Sequence, residues 1–198
     1  WQQYVQGIRS LSYQNKDVLL VDNSLDEEYY KIINKDLPVI RGLYSDIAKD
    51  RIVQNRNILR KKVLDEGYDY FFSLEQDVIP PSDVIERLLA HKTDIVGGVV
   101  MTMKVHNGKN IPVPMLWEKR GDRIFFLAPE EIMKPQLKKI DVCSLSCVLI
   151  HRCVLEKLEF RYEKGFDDMC FCRDASENGF DIYVDTTVRP RHFGRLHK

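Results

Sequence analysis

Short, almost wholly apolar segments alternate with amphipathic ones along the first hundred residues. The apolar segments predict β-strands at 17–24 (DVLLVDNS), 37–42, 68–74 (YDYFFSL) and 94–103. The amphipathic segments predict helices at 1–12, 26–33, 45–66 and 82–91, with Gly67 ending the longest. Strands that are apolar throughout, rather than at every second residue, are typical of a parallel sheet covered by helices on both faces.

This alternation becomes irregular after residue 103. Residues 111–128 predict a hairpin that turns at Arg120, Gly121 and Asp122. The remaining segments predict one or two strands at 139–151, short helices at 152–158 and 168–178, and a last strand at 181–185. We therefore expect a single α/β domain over residues 1–198, regular in its first half (1–103) and less regular in its second (104–198).

Composition and charge exclude several classes of protein. The 198 residues suit one domain with a sizeable core, and 44% of them are hydrophobic, as in ordinary globular proteins. Thirty basic residues balance thirty acidic ones, so no overall field favours nucleic acid or an anionic membrane. No apolar run approaches the roughly 18–20 residues that span a bilayer, so we expect neither a transmembrane helix nor a signal peptide.

The cysteines indicate a reducing compartment. The chain has five, an odd number without zinc-finger spacing. We expect reduced thiols and a cytoplasmic location, although a disulfide would be compatible with an extreme thermophile. Cys170 and Cys172, at i and i+2 of a predicted helix, point apart and are expected to be buried, inert thiols.

Carboxylates follow two of the predicted strands. Asp22 ends one, and Glu75 and Asp77 follow another in the stretch FFSLEQDVIPP (71–81). Ligands of open α/β sheets bind beyond the carboxyl ends of the strands. Two acids at i and i+2 can approach one cation, and oxygen ligands suit Mg²⁺ or Mn²⁺ bridging a diphosphate. The alternative is that these are solvated loop acids near a helix start.

Taken in chain order, four segments resemble a family 2 glycosyltransferase with the GT-A fold. They are DVLLVDNS, the stretch from QNRN to LEQDVIPP (54–81), DVCSLSCVLIHRCVLEKL (141–158) and the stretch from GFDD to RHFG (165–194). The order and spacing of the four, rather than any one of them, carry the resemblance, which covers nearly the whole chain. It implies a mostly parallel, Rossmann-like sheet with a nucleotide-binding half (1–103) and an acceptor-binding half (104–198).

The resemblance also implies roles for individual residues. Asp77 matches the metal-binding acid of a DxD-like motif, and His192 matches a third metal position. Glu75 replaces the first acid, which in the family contacts ribose or a metal-bound water. Asp168 matches the catalytic base, and the neighbouring Asp167 is its rival for that role.

Asp22 and Arg56 match the family's nucleotide contacts. In the family a strand and a loop precede the first helix and close over the base, whereas here residues 1–12 are already helical. Either that segment lies upstream of Trp1 or the nucleotide site is built differently. Considered alone, each residue also has an ordinary role: Asp22 as a turn cap, Arg56 as a solvated helix arginine and His192 as a packed histidine.

The expected function is a metal-dependent glycosyltransferase that moves a sugar from a nucleoside-diphosphate sugar to a hydroxyl of a glycan, protein or lipid, with inversion. The expected metal is Mn²⁺ or Mg²⁺, and imidazole among the ligands favours Mn²⁺. Two alternatives stay open: a nucleotidyltransferase, although no Gly-rich basic loop occurs early in the chain, and a non-catalytic sugar- or nucleotide-binding module. A basic C-terminal cluster (Arg189, Arg191, Arg195, His197, Lys198) is expected to be a solvated tail, with folding over the bound donor diphosphate as the alternative.

Overall fold

The structure is a computed structural model that describes residues 1–121 and 123–193. Asp122 of the expected turn therefore lies outside the described residues. The same holds for Arg195, His197 and Lys198 of the basic cluster and for Gly194, which ends the fourth matching segment.

Helices form at nearly all of the positions that the sequence predicts. They are α1 (Gln2–Arg9), α2 (Glu28–Ile33), α3 (Ala48–Glu66), α4 (Val84–Leu89), α5 (Arg152–Lys157) and α6 (Asp167–Glu177), with a 3₁₀ turn at Pro129–Ile132. The longest, α3, ends at Gly67, whose φ of 77° is left-handed, so the predicted glycine stop is confirmed. Within 1–121 and 123–193, no helix is both long enough and apolar enough to cross a membrane.

The strands fall into one five-stranded sheet and four small ones. They are β1 (Leu20–Asp22), β2 (Val39–Arg41), β3 (Tyr70–Leu74), β4 (Val78–Ile79), β5 (Ile95–Gly98), β6 (Met101–His106), β7 (Lys109–Pro114), β8 (Leu116–Arg120), β9 (Arg123–Phe126), β10 (Leu137–Ile140), β11 (Val142–Cys143), β12 (Cys147–His151), β13 (Ile182–Asp185) and β14 (Arg191–His192). The small sheets are β1–β2, β11–β8–β9, β14–β4 and β6–β7.

The central sheet is mixed, and the expected mostly parallel sheet is corrected here. Its order is β10-β13-β5-β12-β3, and only β13 and β5 run parallel. After β5 the chain passes through the hairpins of the second half and returns at the same end of the sheet, so β12 enters antiparallel to both neighbours. Strands covered on both faces are apolar throughout, whether they run parallel or antiparallel. The apolar pattern therefore did not distinguish a parallel sheet from a mixed one.

Successive residues of β12 pack into two different cores. Val148 and Ile150 belong to a cluster that includes residues of α3, α5 and α6. Cys147 and Leu149 belong to a second cluster, which includes residues of α1 and α4. The expectation of helices on both faces is therefore confirmed, and the alternation of side chains along a strand explains it.

A cavity of about 1330 Å³ separates β1 from β3, with α3 along one wall. Among the described residues, β1 pairs only with β2 and β3 only with β12, so one edge of each strand faces this space. At one end the Tyr68 hydroxyl donates to the Asp17 carboxylate over 2.7 Å. At the other end, called the polar end below, lie Asp22, which ends β1, and Glu75 and Asp77, which follow β3.

Two hairpins build most of the irregular half. The predicted one is confirmed, since β8 pairs with β9 and Arg120 lies opposite Arg123. The other, β6–β7, was predicted only as the end of a strand. Its two-residue turn is Asn107-Gly108, both with positive φ (49° and 72°), and Asn-Gly is the dipeptide that favours such turns. The Asn-Gly dipeptide is the feature of the sequence that predicts this hairpin.

Gly98, at the end of β5, is expected to tolerate no side chain. A Cβ there would lie 2.6 Å from Cγ1 of the buried Val188 and 3.0 Å from its carbonyl oxygen. We expect Gly98→Ala to lower the free energy of unfolding by about 1–3 kcal/mol, as overpacking does. Urea denaturation measures it. Gly165→Ala, whose Cβ would meet nothing closer than 3.7 Å, is the matched control, and an equal loss in both variants would contradict the packing argument.

Candidate functional site

Of the residues predicted to act together, Asp22, Arg56, Glu75 and Asp77 line the cavity. Asp167 is paired with Arg56 and His192 with Asp77, and Asp168 follows Asp167. Asp22 ends β1, and Glu75 and Asp77 follow β3. Asp167 and Asp168 open α6, which the chain reaches only ninety residues later. The structure thus brings the carboxyl ends of two strands and the first turn of a helix to one place, as the rule for ligands of open α/β sheets requires.

Asp77 and His192 form a pair at this place. Strand β14 aligns with β4 so that His192 lies opposite Val78, and Phe193 N donates to Asp77 O over 2.8 Å. The His192 Nε2 atom is 3.3 Å from Asp77 Oδ2. Its Nδ1 atom lies 2.9 Å from the carbonyl of Met101, which accepts only from a protonated nitrogen. With Nδ1 engaged by Met101, Nε2 is the nitrogen that faces Asp77, and a metal-binding histidine is held in this way by its other nitrogen.

Arg56 lies between two carboxylates instead of facing solvent. Its side chain is only 8% exposed, and it is ion-paired with Asp167 and, over 2.7 Å, with Glu75. A buried guanidinium needs such partners, because an unpaired charge is costly in a low-dielectric interior. Arg56 therefore joins α3 to the end of β3 and to the start of α6, and the solvated helix arginine of the alternative interpretation is excluded.

Glu75 is paired with Arg56, although it was predicted to bind the metal and to contact the donor. Its pKa is raised, chiefly by removal of the carboxylate from water, with the charges of Asp77 and Asp167 acting in the same direction and Arg56 against them. The side chain as a whole is still 41% exposed, so the withdrawal from water is partial. The hypotheses that Glu75 binds the metal and contacts the donor both stay predictions.

Asp167 and Asp168 have different environments although they are neighbours. Asp167 is buried and ion-paired with Arg56. Asp168 forms no ion pair with any residue of 1–121 or 123–193; its Oδ1 accepts a hydrogen bond from Met169 N over 2.8 Å. Burial, with the nearby charge of Asp167, raises the pKa of Asp168 to about 6. Asp168 can thus accept a proton near neutral pH, whereas the Asp167 carboxylate is engaged by Arg56.

Asp22 is buried and already has partners. Its carboxylate forms an ion pair with Arg41 and accepts hydrogen bonds from Ser24 N and Ser24 Oγ, the latter over 2.8 Å. The cap of a strand-end turn is therefore a role that it does play, and a contact with a nucleotide stays a prediction. Arg41, which the sequence analysis did not single out, has a recognisable signal: a basic residue at the end of the neighbouring parallel strand.

Two aromatic residues add an apolar wall to the polar end of the cavity. Tyr4 and Tyr29 line it, and burial raises the pKa of each, to about 12 for Tyr4. The charge of Asp77 contributes to the shift of Tyr4, and that of Asp22 to the shift of Tyr29. The two tyrosines therefore lie between the ends of β1 and β3, where sequence analysis placed no residue.

The cysteines lie apart from this chemistry. Cys143, Cys147, Cys170 and Cys172 are buried and Cys153 is half-buried, all as free thiols. The expectation that Cys170 and Cys172 are buried is confirmed.

Comparison with known proteins shows a shared fold. No known family model matches the sequence, and no curated protein matches it significantly. Two solved structures are similar: A197 from STIV (16% identity, TM-score 0.54, 91% of this chain and 87% of that chain) and GalNAc-T7 with UDP, GalNAc and Mn²⁺ (16% identity, TM-score 0.63, 91% of this chain and 38% of that chain). The chain therefore shares its overall fold with these two proteins, of which GalNAc-T7 is a glycosyltransferase with the GT-A fold, and at this identity the likeness is one of fold alone.

Replacing each of the two neighbouring aspartates by asparagine is expected to change stability in opposite directions. An acid whose folded pKa is raised, here from 3.8 to about 6, destabilises the folded state once it ionises, so stability is lost as pH rises through that window. We expect Asp168→Asn to be more stable than the wild type at neutral pH, by up to about 3 kcal/mol, and equal to it well below pH 4.

The Asp167→Asn variant supplies the contrast. It leaves Arg56 buried with one carboxylate fewer and should lose about 3–5 kcal/mol at neutral pH. Urea denaturation across pH measures both variants. A loss of stability in Asp168→Asn that does not vary with pH would show that its carboxylate is a structural acid.

Proposed function

We propose that the protein is a metal-dependent, inverting glycosyltransferase that uses a nucleoside-diphosphate sugar and a hydroxyl acceptor. The observation that carries the proposal is the row of groups at the polar end of the cavity. A pair suited to a cation, Asp77 and His192, stands at one end. At the other stands Asp168, a carboxylate with a raised pKa that forms no ion pair within residues 1–121 and 123–193. Glu75, Arg56 and Asp167 connect them.

The chemistry of the donor set fits a divalent cation. Asp77 supplies an oxygen and His192 an imidazole nitrogen, a combination that suits Mn²⁺ better than Mg²⁺. Two protein ligands leave coordination positions for diphosphate oxygens and water, as in other sites where the cation is shared with a phosphorylated substrate. Bound there, the cation would neutralise charge on the leaving diphosphate. GalNAc-T7, which shares the fold, was solved with UDP and Mn²⁺.

Asp168 is the proposed general base. A carboxylate with a pKa of about 6 is largely ionised at neutral pH, yet basic enough to take a proton from a hydroxyl that attacks the anomeric carbon. A single base and direct displacement on the face opposite the leaving group invert the configuration. The two-carboxylate plan of a glycoside hydrolase does not apply, because here the other acids hold a cation or Arg56.

Arg56 is proposed to position the acids on both sides. It holds Asp167 at the start of α6, which leaves Asp168 as the carboxylate directed to chemistry, and it holds Glu75 beside the proposed cation site. Glu75 is then available to a donor ribose or to a metal-bound water. Asp22 would contact the nucleotide base if Arg41 shares or releases its carboxylate.

One observation favours a second candidate, a non-catalytic nucleotide- or sugar-binding module. Both Asp22 and Glu75, expected to contact the donor, are engaged in internal ion pairs. Such a module would bind the nucleotide and fail to turn it over. Donor hydrolysis by the wild type that disappears in Asp168→Asn, with nucleotide binding retained, would decide for the enzyme.

Nucleotide binding is expected to need the cation. Isothermal titration with UDP and GDP should give micromolar affinity for one of them in Mn²⁺ and at least tenfold weaker binding in EDTA. Asp77→Ala and His192→Ala should each lose tenfold or more, because each removes one of two protein ligands.

The matched control for this titration is Asp83→Asn. Asp83 is an exposed acid six residues beyond Asp77, paired with Arg87 over 3.6 Å, and its loss should leave binding unchanged. Affinity that is indifferent to EDTA and to Asp77→Ala would overturn the metal site. Absence of any nucleotide binding by the folded protein would overturn the donor site.

The pH dependence of turnover follows from Asp168. Because the base acts only when ionised, kcat/KM should rise about tenfold per pH unit below pH 6 and level off above it. Sugar release from a panel of UDP- and GDP-sugars across pH measures this. We expect Asp168→Asn to lower kcat/KM about 10²–10⁴-fold. A rate in wild type that is flat from pH 5 to 7 would rule Asp168 out as the base.

A further inference from the structure

Three potential metal ligands meet at the end of the sheet opposite the candidate site. His151 is the last residue of β12, and Asp94 directly precedes β5; His151 N donates to Asp94 O over 2.8 Å. His151 lies opposite Tyr70, the first residue of β3, whereas Glu75 follows the last. Four residues of strand separate the two ends by about 13 Å.

Cys153 completes the group from the first turn of α5. Its Sγ atom lies 3.0 Å from His151 Nδ1 and 3.4 Å from Asp94 Oδ1. One ligand atom from each of the three residues lies within 4.8 Å of the other two. These spacings are close to those between ligands that share one ion at bond lengths of about 2.0–2.3 Å.

The surroundings hold the imidazole in place. The ring of Tyr70 packs edge-on against it, with centroids 4.9 Å apart. Cys153 N also donates to His151 Nδ1 over 3.2 Å, so His151 caps α5. Without a metal the thiol donates to the Asp94 carboxylate, so Asp94 and His151 both meet the same sulfur. A metal bound through His151 Nδ1 would replace the capping hydrogen bond.

Two acidic residues precede strands at this end of the sheet. Asp94 precedes β5, and Asp69 precedes β3, where its carbonyl oxygen accepts from Arg152 N over 2.8 Å.

We propose that Asp94, His151 and Cys153 form a second metal site, specific for a thiolate-binding divalent ion of the zinc type. Oxygen, nitrogen and sulfur from three residues, with an open fourth position, form a donor set that Zn²⁺ accepts. On binding, the Cys153 thiol gives its proton to solvent and a metal–sulfur bond forms, so affinity rises with pH. The ion would link His151 at the end of β12 and Cys153 in α5 to Asp94, which precedes β5. This proposal is independent of the glycosyltransferase proposal.

Cobalt is the probe, because Co²⁺ substitutes for Zn²⁺ and reports sulfur ligation by a thiolate-to-metal charge-transfer absorption. Reduced, full-length protein carrying Asp77→Asn is titrated, so that the proposed donor site does not contribute. We expect a one-to-one charge-transfer signal that Zn²⁺ abolishes, and a higher melting temperature with Zn²⁺ than with EDTA. Cys153→Ser in the same background should lose both.

Two further variants test the other ligands and the role of charge. Asp94→Asn should weaken Co²⁺ binding at least tenfold, because it replaces an anionic ligand. Asp69→Asn removes a nearby charge without removing a ligand and should change affinity less than threefold. No charge-transfer signal, a signal that persists in Cys153→Ser, or equal affinity in Asp94→Asn would each overturn the site. Failure of UDP binding would not bear on it, and Cys153→Ser should leave UDP binding intact.

Discussion

The buried ion pairs of Arg56 are the interaction on which the candidate site depends. A guanidinium that is 8% exposed must be paired, and its partners come from two separate parts of the chain, Glu75 after β3 and Asp167 at the start of α6. The three residues span 111 positions of sequence from Arg56 to Asp167. Packing in the core positions the elements that carry these residues. The two ion pairs of Arg56 then stabilise the end of β3 and the start of α6 next to α3.

This pairing divides the acids of the site into two groups. Glu75 and Asp167 balance Arg56, whereas Asp77 faces His192 and Asp168 forms no ion pair with the described residues. Four carboxylates, those of Glu75, Asp77, Asp167 and Asp168, lie close enough to repel one another. The guanidinium of Arg56, between Glu75 and Asp167, reduces this repulsion. The division also explains why two adjacent aspartates, alike in sequence, differ in their chemistry.

The sheet provides the setting for this arrangement. Strand β12 lies between β5 and β3 and contributes alternate side chains to two cores, which fixes the ends of all three strands. At the carboxyl ends of β1 and β3 the cavity is lined by Asp22, Glu75 and Asp77. Its volume of about 1330 Å³ exceeds that of ordinary small-molecule pockets and leaves room for a large ligand. The opposite end of the sheet carries a second, separate set of polar groups.

The sequence by itself determined the local structure. Apolar runs located β1, β2, β3 and β5, Gly67 ended α3, and acids just after strands marked the edge where the site lies, because periodicity and turn chemistry act over a few residues. It did not determine the direction of β12 or the partners of Arg56 and Asp22. Strand direction is set by where the chain re-enters the sheet, and ion pairs by which distant elements the core brings together. Those choices depend on free energies shared by the whole fold, so only the tertiary structure decided them.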